Sequence, residues 1–548
     1  MVRRLLACAL LCSSVAILSV AILAVALLSG AVGGRARAAE QAPVAFKAPP
    51  PQFADPQRRQ KLAAAFPAID RIFTTFIESA HVPGASWGIV IDGDLAHSGA
   101  AGVRDVASKA AVDTTTVFRI ASMTKSFTAI AILKLRDEGM LSLDDPVERY
   151  VPELKGLVYP TADSPRITIR HLLSHAEGFP EDNPWGDRHL ADSDAQLSDM
   201  MRRGIPFSNA PGLAYEYSNF GFAILGRVVA NVSRAPYDQY IRSAILLPLG
   251  MSSTTFEPRD VPRDALALGY RWEDDAWTAE PILAHGSFGS MGGMLTTVPD
   301  LAKYVAAFLA AWPPHDGPET PPLRRASLRE MQQVWRPAPG AVARDSTGRL
   351  QMNVGGYGFG LRVSQTCAFR HVVAHSGGLP GYGSQMRWLP EYGVGIIAFG
   401  NLRYTGWGRP VDEALEALAN TGALQPRVVQ PSPALVAARD AVSRLVTKWD
   451  DAAAKSIAAD NLFLDESAER RRAALDRLRA KIGTCSPSPS PFDSVENALR
   501  GGWSMACERG RVQVSITLAP AMPPKVQYWS VAEAPAEPAA PAASCPRQ

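Results

Sequence analysis

The sequence carries almost no excess charge of either sign. Its 548 residues include 56 Lys and Arg against 53 Asp and Glu, a formal net charge of +3. So small an excess provides no electrostatic footprint for nucleic acid, and we expect no nucleic-acid partner. Charged residues make up 20% and hydrophobic residues 47% of the chain. That composition is typical of globular proteins and excludes a largely disordered or fibrous chain.

Patterns that bind metals are also missing. His171 and His175 stand four residues apart, as do His371 and His375. Neither pair has the adjacent glutamate of a zinc-protease helix. The cysteines show no CxxC or Cys/His spacing typical of a zinc site. We therefore predict no metal site and no cofactor.

Cysteine is scarce, with six residues in the whole chain. Two of them lie in the N-terminal apolar run, which leaves four in the body of the protein. Four cysteines allow three pairings, and the spacing does not choose among them. Because Cys485 and Cys507 share one C-terminal segment, we predict that these two form a disulfide.

The N-terminal 39 residues predict export. Arg3 and Arg4 precede an uncharged apolar run that lasts to Gly34, and the small residues of RARAA follow. This order is typical of a secretory signal. The run exceeds the usual apolar core of about 7 to 15 residues, so an uncleaved anchor associated with the membrane is the alternative. Both interpretations place the body outside the cytoplasm, in the periplasm or the extracellular space.

Composition and hydrophobic patterning divide the chain into five segments. They are an export leader or anchor (1–39), a Pro-rich linker (40–56), a large main domain (57–425), a small α+β domain (426–532) and an Ala/Pro-rich disordered tail (533–548).

In the main domain, strand patterns flank a mostly helical insert. A helix is predicted over 57–80, followed by a hairpin around Asp92-Gly93. Helices and loops then continue to about residue 345. Strand-like runs resume at 358–363, 371–378, 384–390 and 394–401. Since neither half could bury its apolar face alone, the pattern predicts an α/β sandwich with an antiparallel sheet flanked by helices.

One short stretch combines a nucleophile with a base. In RIASMTKSFTAI, Ser122 and Lys125 are three residues apart at the start of an apolar helical run, so their side chains share one helix face. A serine hydroxyl is a poor nucleophile until a base removes its proton. A lysine flanked by apolar residues can lose solvation, which lowers its pKa. The pair predicts an activated serine, although Ser-x-x-Lys alone also fits an N-cap followed by a surface lysine.

Two further motifs supply partners for that pair. AYEYSNFGFAILGRVV places Tyr217 and Asn219 just before an apolar helix, where a phenol and an amide can project together. VVAHSGGLPGYGSQM places a short polar run at the end of a strand, where glycines let a substrate backbone lie close. That run consists of His375, Ser376, Gly377 and Gly378.

In this order, Ser-x-x-Lys, Tyr-x-Asn and His-Ser-Gly resemble the serine β-lactamases and penicillin-binding-protein-like hydrolases, over roughly residues 60 to 420. The chain is most similar to the branch with a tyrosine in the middle motif: class C β-lactamases, D-alanyl-D-alanine carboxypeptidases, D-aminopeptidases and related esterases. HLLSHAEGF, PLGMSSTTF and GSMGGMLTTVPDLAKY add to the resemblance. It implies a β-lactamase/transpeptidase-like fold for the main domain.

The resemblance also implies a role for each motif residue. Ser122 would be the acylated nucleophile, Lys125 its base, and Tyr217 the group that carries the proton to the leaving group and activates water. Asn219 would orient the lysine and the substrate amide. The backbone N–H groups of Ser122 and Gly378 would form the oxyanion hole, and the His-Ser-Gly-Gly run would bind substrate.

The chain departs from this pattern in two places. His375-Ser376-Gly377 stands where many relatives have Lys-Thr-Gly, a form seen in esterase-like and peptidase-like members. A histidine carries a full charge less reliably near neutral pH, so we expect weaker recognition of an anionic carboxylate. HAEGF stands where relatives often have His-Thr-Ser-Gly-Leu. We expect Glu177 to cap a loop, the alternative being contact with the cleft.

Together these observations predict an exported serine hydrolase that cleaves an ester or amide bond through an acyl-enzyme. Its partner would be a small-molecule or peptide substrate, with cell-wall peptide among the candidates. D-amino-acid peptides, small esters and β-lactams share this chemistry, and the His-Ser-Gly form favours the first two. The alternative is a catalytically inactive relative that binds cell-wall fragments or a partner protein. The intact set of reactive residues argues against that alternative.

Overall fold

The computed structural model describes residues 48–344, 350–486 and 491–534. The predicted leader (1–39), the first part of the linker and nearly all of the predicted tail lie outside these ranges. Within them, no helix combines the length and the apolar character needed to cross a bilayer.

Helices and strands are numbered in chain order. The α-helices are α1 (Arg58–Ala63), α2 (Phe66–Ser79), α3 (Thr124–Asp137), α4 (Ile169–Leu173), α5 (Trp185–Arg188), α6 (Asp194–Arg203), α7 (Asn219–Ser233), α8 (Tyr237–Ile241), α9 (Gly289–Gly292), α10 (Val298–Ala310), α11 (Arg325–Met331), α12 (Gly408–Asn420), α13 (Pro433–Thr447), α14 (Asp451–Ile457), α15 (Leu462–Asp465) and α16 (Ala468–Ile482). The strands are β1 (Gly84–Ile91), β2 (Asp94–Asp105), β3 (Ala110–Ala111), β4 (Phe118–Arg119), β5 (Tyr270–Glu273), β6 (Ala276–Ala279), β7 (Leu295–Thr296), β8 (Arg336–Arg344), β9 (Leu350–Tyr357), β10 (Arg362–Thr366), β11 (Val372–Leu379), β12 (Tyr382–Leu389), β13 (Val394–Gly400), β14 (Ser494–Asn497), β15 (Arg500–Cys507), β16 (Gly510–Leu518) and β17 (Val526–Glu533).

A nine-stranded antiparallel sheet organises the main domain, in the order β3-β2-β1-β13-β12-β11-β10-β9-β8. The predicted hairpin joins β1 to β2, and Asp92 and Gly93 have φ values of 55° and 92°, as a two-residue type I′ turn requires. β13 pairs with β1, with Ile396 opposite Ile89. The two ends of the domain therefore meet inside the sheet, and the helical insert is enclosed between them.

Helices cover both faces of this sheet. Along β13, Ile397 and Phe399 pack into the core shared with the helical insert. The alternate residues Ile396 and Ala398 pack into a second core with α2 and α12. This two-sided burial confirms the predicted α/β sandwich with a mostly helical insert.

Three local predictions need correction. The helix predicted over 57–80 is two helices, α1 and α2, because Pro67 has no N–H to donate to the carbonyl of residue 63. The strand predicted at 358–363 begins only at Arg362, after Gly360 with φ 67°. β8 and β9 extend the sheet where the sequence predicted helices and loops, or no element at all. β8 is largely exposed, so it lacks the period-two apolar signal of a half-buried strand.

The C-terminal region is a small α+β fold, as predicted. α13 to α16 precede a four-stranded antiparallel sheet, β14-β15-β16-β17. Leu435, Trp503 and Val514 lie in its core, which is distinct from the cores of the main domain. The predicted disulfide between Cys485 and Cys507 is present.

Candidate active site

Ser122 lies in a 3₁₀ turn, Ala121–Met123, that leads directly into α3. Ala121 has φ 47°, in the left-handed region, which costs a non-glycine residue on the order of 1–3 kcal/mol. Strain of this kind persists only where surrounding structure enforces it. Here Ser384 donates to the carbonyl oxygen of Ile120 at 2.8 Å and fixes the chain just before Ser122.

Lys125 is completely buried, one turn along from Ser122. Its Nζ lies 3.1 Å from the Oγ of Ser122, 2.6 Å from the Oδ1 of Asn219 and 2.9 Å from the carbonyl oxygen of Met291. The last two oxygens can only accept hydrogen bonds. A neutral amine has two N–H groups and one lone pair. It can donate to both acceptors and point its lone pair at the hydroxyl.

Burial lowers the pKa of Lys125 to about 7. The carboxylates of Asp187 and Asp182 oppose this effect, and the Arg362 guanidinium adds to it. A substantial fraction of the side chain is therefore the neutral amine at neutral pH. Geometry and protonation together allow Lys125 to accept the proton of Ser122.

Tyr217 lies beside both groups. Its ring centroid is 4.9 Å from the Nζ of Lys125, and it lines the same cleft as Ser122. Burial raises the pKa of Tyr217 well above its ordinary value. The neutral phenol can thus donate a proton or pass one along, whereas a resting phenolate is disfavoured.

Asn219 begins α7, and its position is fixed by the turn before it. Asp182 accepts hydrogen bonds from the N–H groups of Asn219 and Phe220, both at 2.7 Å, at the positive end of the helix. The Nδ2 of Asn219 donates to the Oδ1 of Asn183 at 2.7 Å. Asn219 is fully buried, so it contacts Lys125 from behind the cleft. Its predicted contact with a substrate amide stays a prediction.

The His-Ser-Gly-Gly run lies on β11. A Cβ at Gly377 would be 2.2 Å from the carbonyl oxygen of Ile120, so only glycine lets β11 pack against the chain before Ser122. Gly377 therefore faces the turn that carries Ser122. Ser376 and Gly378 line the cleft with His375.

His375 is buried and neutral. Its Nδ1 lies 2.6 Å from the carbonyl oxygen of Ser376 and must donate to it, so its Nε2 accepts from the hydroxyl of Tyr357 at 2.7 Å. Burial lowers the pKa of His375 to about 3. These contacts agree with the expectation that a histidine at this position carries a full charge less reliably near neutral pH.

Glu177 takes neither of the positions considered from the sequence. It is completely buried and does not line the cleft; a Cβ at Gly221 would lie 2.3 Å from its Oε1. Burial raises the pKa of Glu177 well above its ordinary value. Neither carboxylate oxygen of Glu177 has a hydrogen-bond partner among the described residues, so the expected loop cap was wrong.

The cleft has a volume of about 490 Å³ and brings together five predicted site residues: Ser122, Tyr217, His375, Ser376 and Gly378. Lys125, Asn219 and Gly377 lie directly behind its wall. The described ranges contain no group of three or more His, Cys, Asp or Glu side chains arranged to hold a metal ion.

Sequence reasoning missed seven of the twelve residues that line the cleft. Its remaining lining residues are Glu181, Asn183, Pro184, Asp187, Tyr215, Arg362 and Tyr404. Arg362 lies on β10, with its guanidinium carbon 5.9 Å from the ring centroids of Tyr215 and Tyr217. It supplies the cation that His375 does not. We expected weaker recognition of an anion because position 375 is a histidine, and that expectation did not include Arg362.

A family model described as Beta-lactamase matches residues 69–421. The chain belongs to the β-lactamase family. The matched range contains the Ser122 turn, the Tyr-x-Asn turn and the His-Ser-Gly strand, so the resemblance to this family is confirmed.

Among known proteins, the chain is similar to "Protein flp" of Staphylococcus aureus strain N315, with 30% identity over 340 residues, 61% of this chain and 62% of that protein. It is also similar to "Beta-lactamase-like protein 2" of Dictyostelium discoideum, with 33% identity over 285 residues, 51% of this chain and 48% of the relative. The chain therefore matches less than two thirds of the length of these relatives.

Two solved structures share the fold. One is the octameric penicillin-binding protein homologue from Pyrococcus abyssi, with 21% identity and a TM-score of 0.54, over 82% of this chain and 96% of that one. The other is a penicillin-binding protein from Bacillus halodurans, with 24% identity and a TM-score of 0.50, over 63% of this chain and 99% of that one.

Proposed function

We propose that the protein is a serine hydrolase that cleaves an ester or amide bond through an acyl-enzyme on Ser122. One observation carries the proposal: the buried Nζ of Lys125 has two acceptor-only partners and directs its remaining position to the Ser122 hydroxyl. A binding protein has no need for an amine held neutral beside a serine.

In the acylation step, the Oγ of Ser122 attacks the substrate carbonyl carbon while its proton passes to the Nζ of Lys125. The carbon–oxygen or carbon–nitrogen bond to the leaving group then breaks, and the leaving group takes a proton from Lys125 through the hydroxyl of Tyr217. In deacylation, water attacks the ester, and the same two side chains return the proton to Ser122. The backbone N–H groups of Ser122 and Gly378 are the proposed donors to the oxyanion.

The charges of the cleft support a polar substrate. Arg362 offers a cation on the sheet side, suited to a carboxylate. D-amino-acid peptides and penicillins both carry a carboxylate beside the reacting amide. A peptide or ester substrate with an anionic group is the class that this cleft favours, and cell-wall peptide is one source of it.

We also propose that the protein works outside the cytoplasm, in the periplasm or the extracellular space, with a cleaved or membrane-anchored leader. The disulfide between Cys485 and Cys507 supports this proposal, because disulfides form and persist mainly in oxidising compartments. Fractionation of cells that express the full chain, followed by N-terminal sequencing of the mature protein, tests both parts.

Intact-protein mass spectrometry tests the proposed activity. The purified protein is exposed briefly to a penicillin or, separately, to a p-nitrophenyl ester, beside its Ser122→Ala and Ser126→Ala variants. Ser126 lies on the same helix and donates to the carbonyl of Met123, so its variant is a matched control. We expect an adduct or product with the wild type and Ser126→Ala only. An unmodified wild type with neither compound turned over would contradict the proposal and favour the inactive binding protein.

A further inference from the structure

Asp187 is a buried carboxylate on the wall of the cleft that the proposed mechanism does not use. It lies on α5 in the helical insert and is only 2% exposed. Its Oδ2 accepts a hydrogen bond from the hydroxyl of Tyr404 at 3.0 Å. Its Oδ1 has no hydrogen-bond partner among the described residues. A buried carboxylate oxygen without a donor is costly, and such groups in native proteins call for an explanation.

Lys125 is a buried cation whose charge acts on Asp187, but it makes no hydrogen bond to the free oxygen. Lys125 directs its Nζ to Ser122, Asn219 and Met291, which occupies all of its hydrogen-bonding positions. Arg362 stands on β10 in the sheet, whereas Asp187 stands on the insert. The cleft thus carries a negative group on one wall and a positive group on the other, and each has capacity for a further partner.

Burial raises the pKa of Asp187 to about 6, while the Tyr404 hydroxyl and the positive charge of Lys125 and Arg188 oppose that rise. Asp182 adds to it. At neutral pH the group is therefore mainly the carboxylate, which can only accept. The exposed Glu181 lines the same cleft and adds a second negative charge that attracts a cation.

We propose that Asp187 binds the free ammonium group of the substrate's acyl half. The inference rests on the proposed function and narrows its substrate class to amino-acyl esters and amides with an unblocked amino group. A charged donor is the partner that a desolvated carboxylate binds most strongly, through a charge-assisted hydrogen bond. An acylated nitrogen keeps one N–H but loses the charge.

The alternative role for Asp187 is to hold Tyr404 in position. That residue has φ 53°, and a Cβ at Gly378 would lie 2.7 Å from its ring. Loss of such a positioning contact would slow every substrate to a similar degree. Loss of an ammonium-binding group would slow only the substrates that carry the charge, so the two uses give different results.

The test measures hydrolysis of D-alanine and L-alanine p-nitroanilide and compares each with its N-acetyl derivative. The proteins are the wild type, Asp187→Asn, Tyr404→Phe and Asp199→Asn. Asp199 is an exposed surface carboxylate paired with Arg203 and serves as the control. For the wild type and Asp199→Asn, we expect kcat/KM to be higher for one enantiomer of the free-amine substrate than for its N-acetyl derivative. In Asp187→Asn that preference should fall about ten- to a hundredfold, as for a lost hydrogen bond to a charged group. Tyr404→Phe should keep the preference.

An equal preference in the wild type and Asp187→Asn would overturn the inference, as would an equal loss on both derivatives. Ser122 adduct formation with a p-nitrophenyl ester, measured by mass in the same preparations, separates this failure from that of the proposed function. An adduct without an amine preference overturns the role of Asp187 alone. No adduct in the wild type overturns both.

Discussion

The proposed catalytic centre and the rim of the cleft differ in how their charged groups are partnered. At the centre, Lys125 is completely buried, and every hydrogen-bonding position of its Nζ has a partner within the protein. At the rim, Arg362 is exposed, and one carboxylate oxygen of Asp187 has no hydrogen-bond partner among the described residues.

This difference separates reactivity from selectivity. Partners that saturate a buried amine fix its protonation state and its direction, and both act on every substrate. Charged groups that can still form a hydrogen bond or ion pair act only on substrates that offer the complementary charge. Changes at the centre should therefore affect all substrates, and changes at the rim should affect some. The predictions below test that division, from the largest expected effect to the smallest.

Lys125→Met should have the largest effect. Methionine nearly preserves the volume but removes the base, so the rate of Ser122 acylation should fall about 10²- to 10⁴-fold with any substrate. Stopped-flow or quenched single-turnover acylation measures it, with circular dichroism to verify folding. Lys134→Met is the matched control, since Lys134 lies on the same helix and pairs with Glu138. Equal rates in the two variants would contradict the role of Lys125.

Gly377→Ala should come next. The new Cβ would lie 2.2 Å from the carbonyl oxygen of Ile120, so the chain before Ser122 must move. A displacement of about 1 Å at a nucleophile can cost roughly a hundredfold in rate, and we expect a ten- to hundredfold loss of acylation with all substrates.

Gly406→Ala supplies the comparison for that variant, because nothing lies within 4 Å of a Cβ at Gly406. Its acylation rate and melting temperature should match those of the wild type. If Gly377→Ala also behaved like the wild type, the packing of β11 against the Ser122 turn would not position that serine.

Arg362→Gln should have the smallest and most selective effect. Loss of a charged hydrogen bond should raise KM about tenfold or more for substrates with a free carboxylate. The corresponding methyl esters should change little, and kcat should stay close to the wild-type value. Arg370→Gln, at an exposed arginine near Glu391, is the control. An equal loss of kcat/KM for the acids and their methyl esters would show that Arg362 acts on every substrate, as the residues of the centre do.

The same division explains what the sequence could predict. Ser122, Lys125, Tyr217 and Asn219 are reactive or polar residues at fixed spacings, each set against an apolar helical run that the structure buries. Such a pattern is visible because polar residues are rare in segments otherwise suited to a core. The central strands, with buried apolar runs such as β13, were predictable for the same reason.

The rim had no comparable signal. Asp187 is one of three acidic residues in PEDNPWGDR, and only the folded chain shows that it is buried while Glu181 is exposed. The third partner of Lys125 is the backbone carbonyl of Met291, a group that every residue carries. Arg362 follows Gly360, where the predicted strand had no reason to break until the backbone of that glycine was known.

The pH dependence of Ser122 acylation tests the central claim most directly. Single-turnover rates with an uncharged activated ester are measured from about pH 5 to 10, a range that spans the lowered and the ordinary pKa of lysine. The Asp187→Asn variant is measured in parallel, because the pKa of Asp187, about 6, lies in the same range. In the wild type we predict a rate that rises with pH and levels off above about 7, where Lys125 becomes the neutral amine. In Asp187→Asn the same rise should move to lower pH, because the Asp187 carboxylate raises the pKa of Lys125. A rate independent of pH, or one that rises only near pH 10, would show that a neutral Lys125 is not the base.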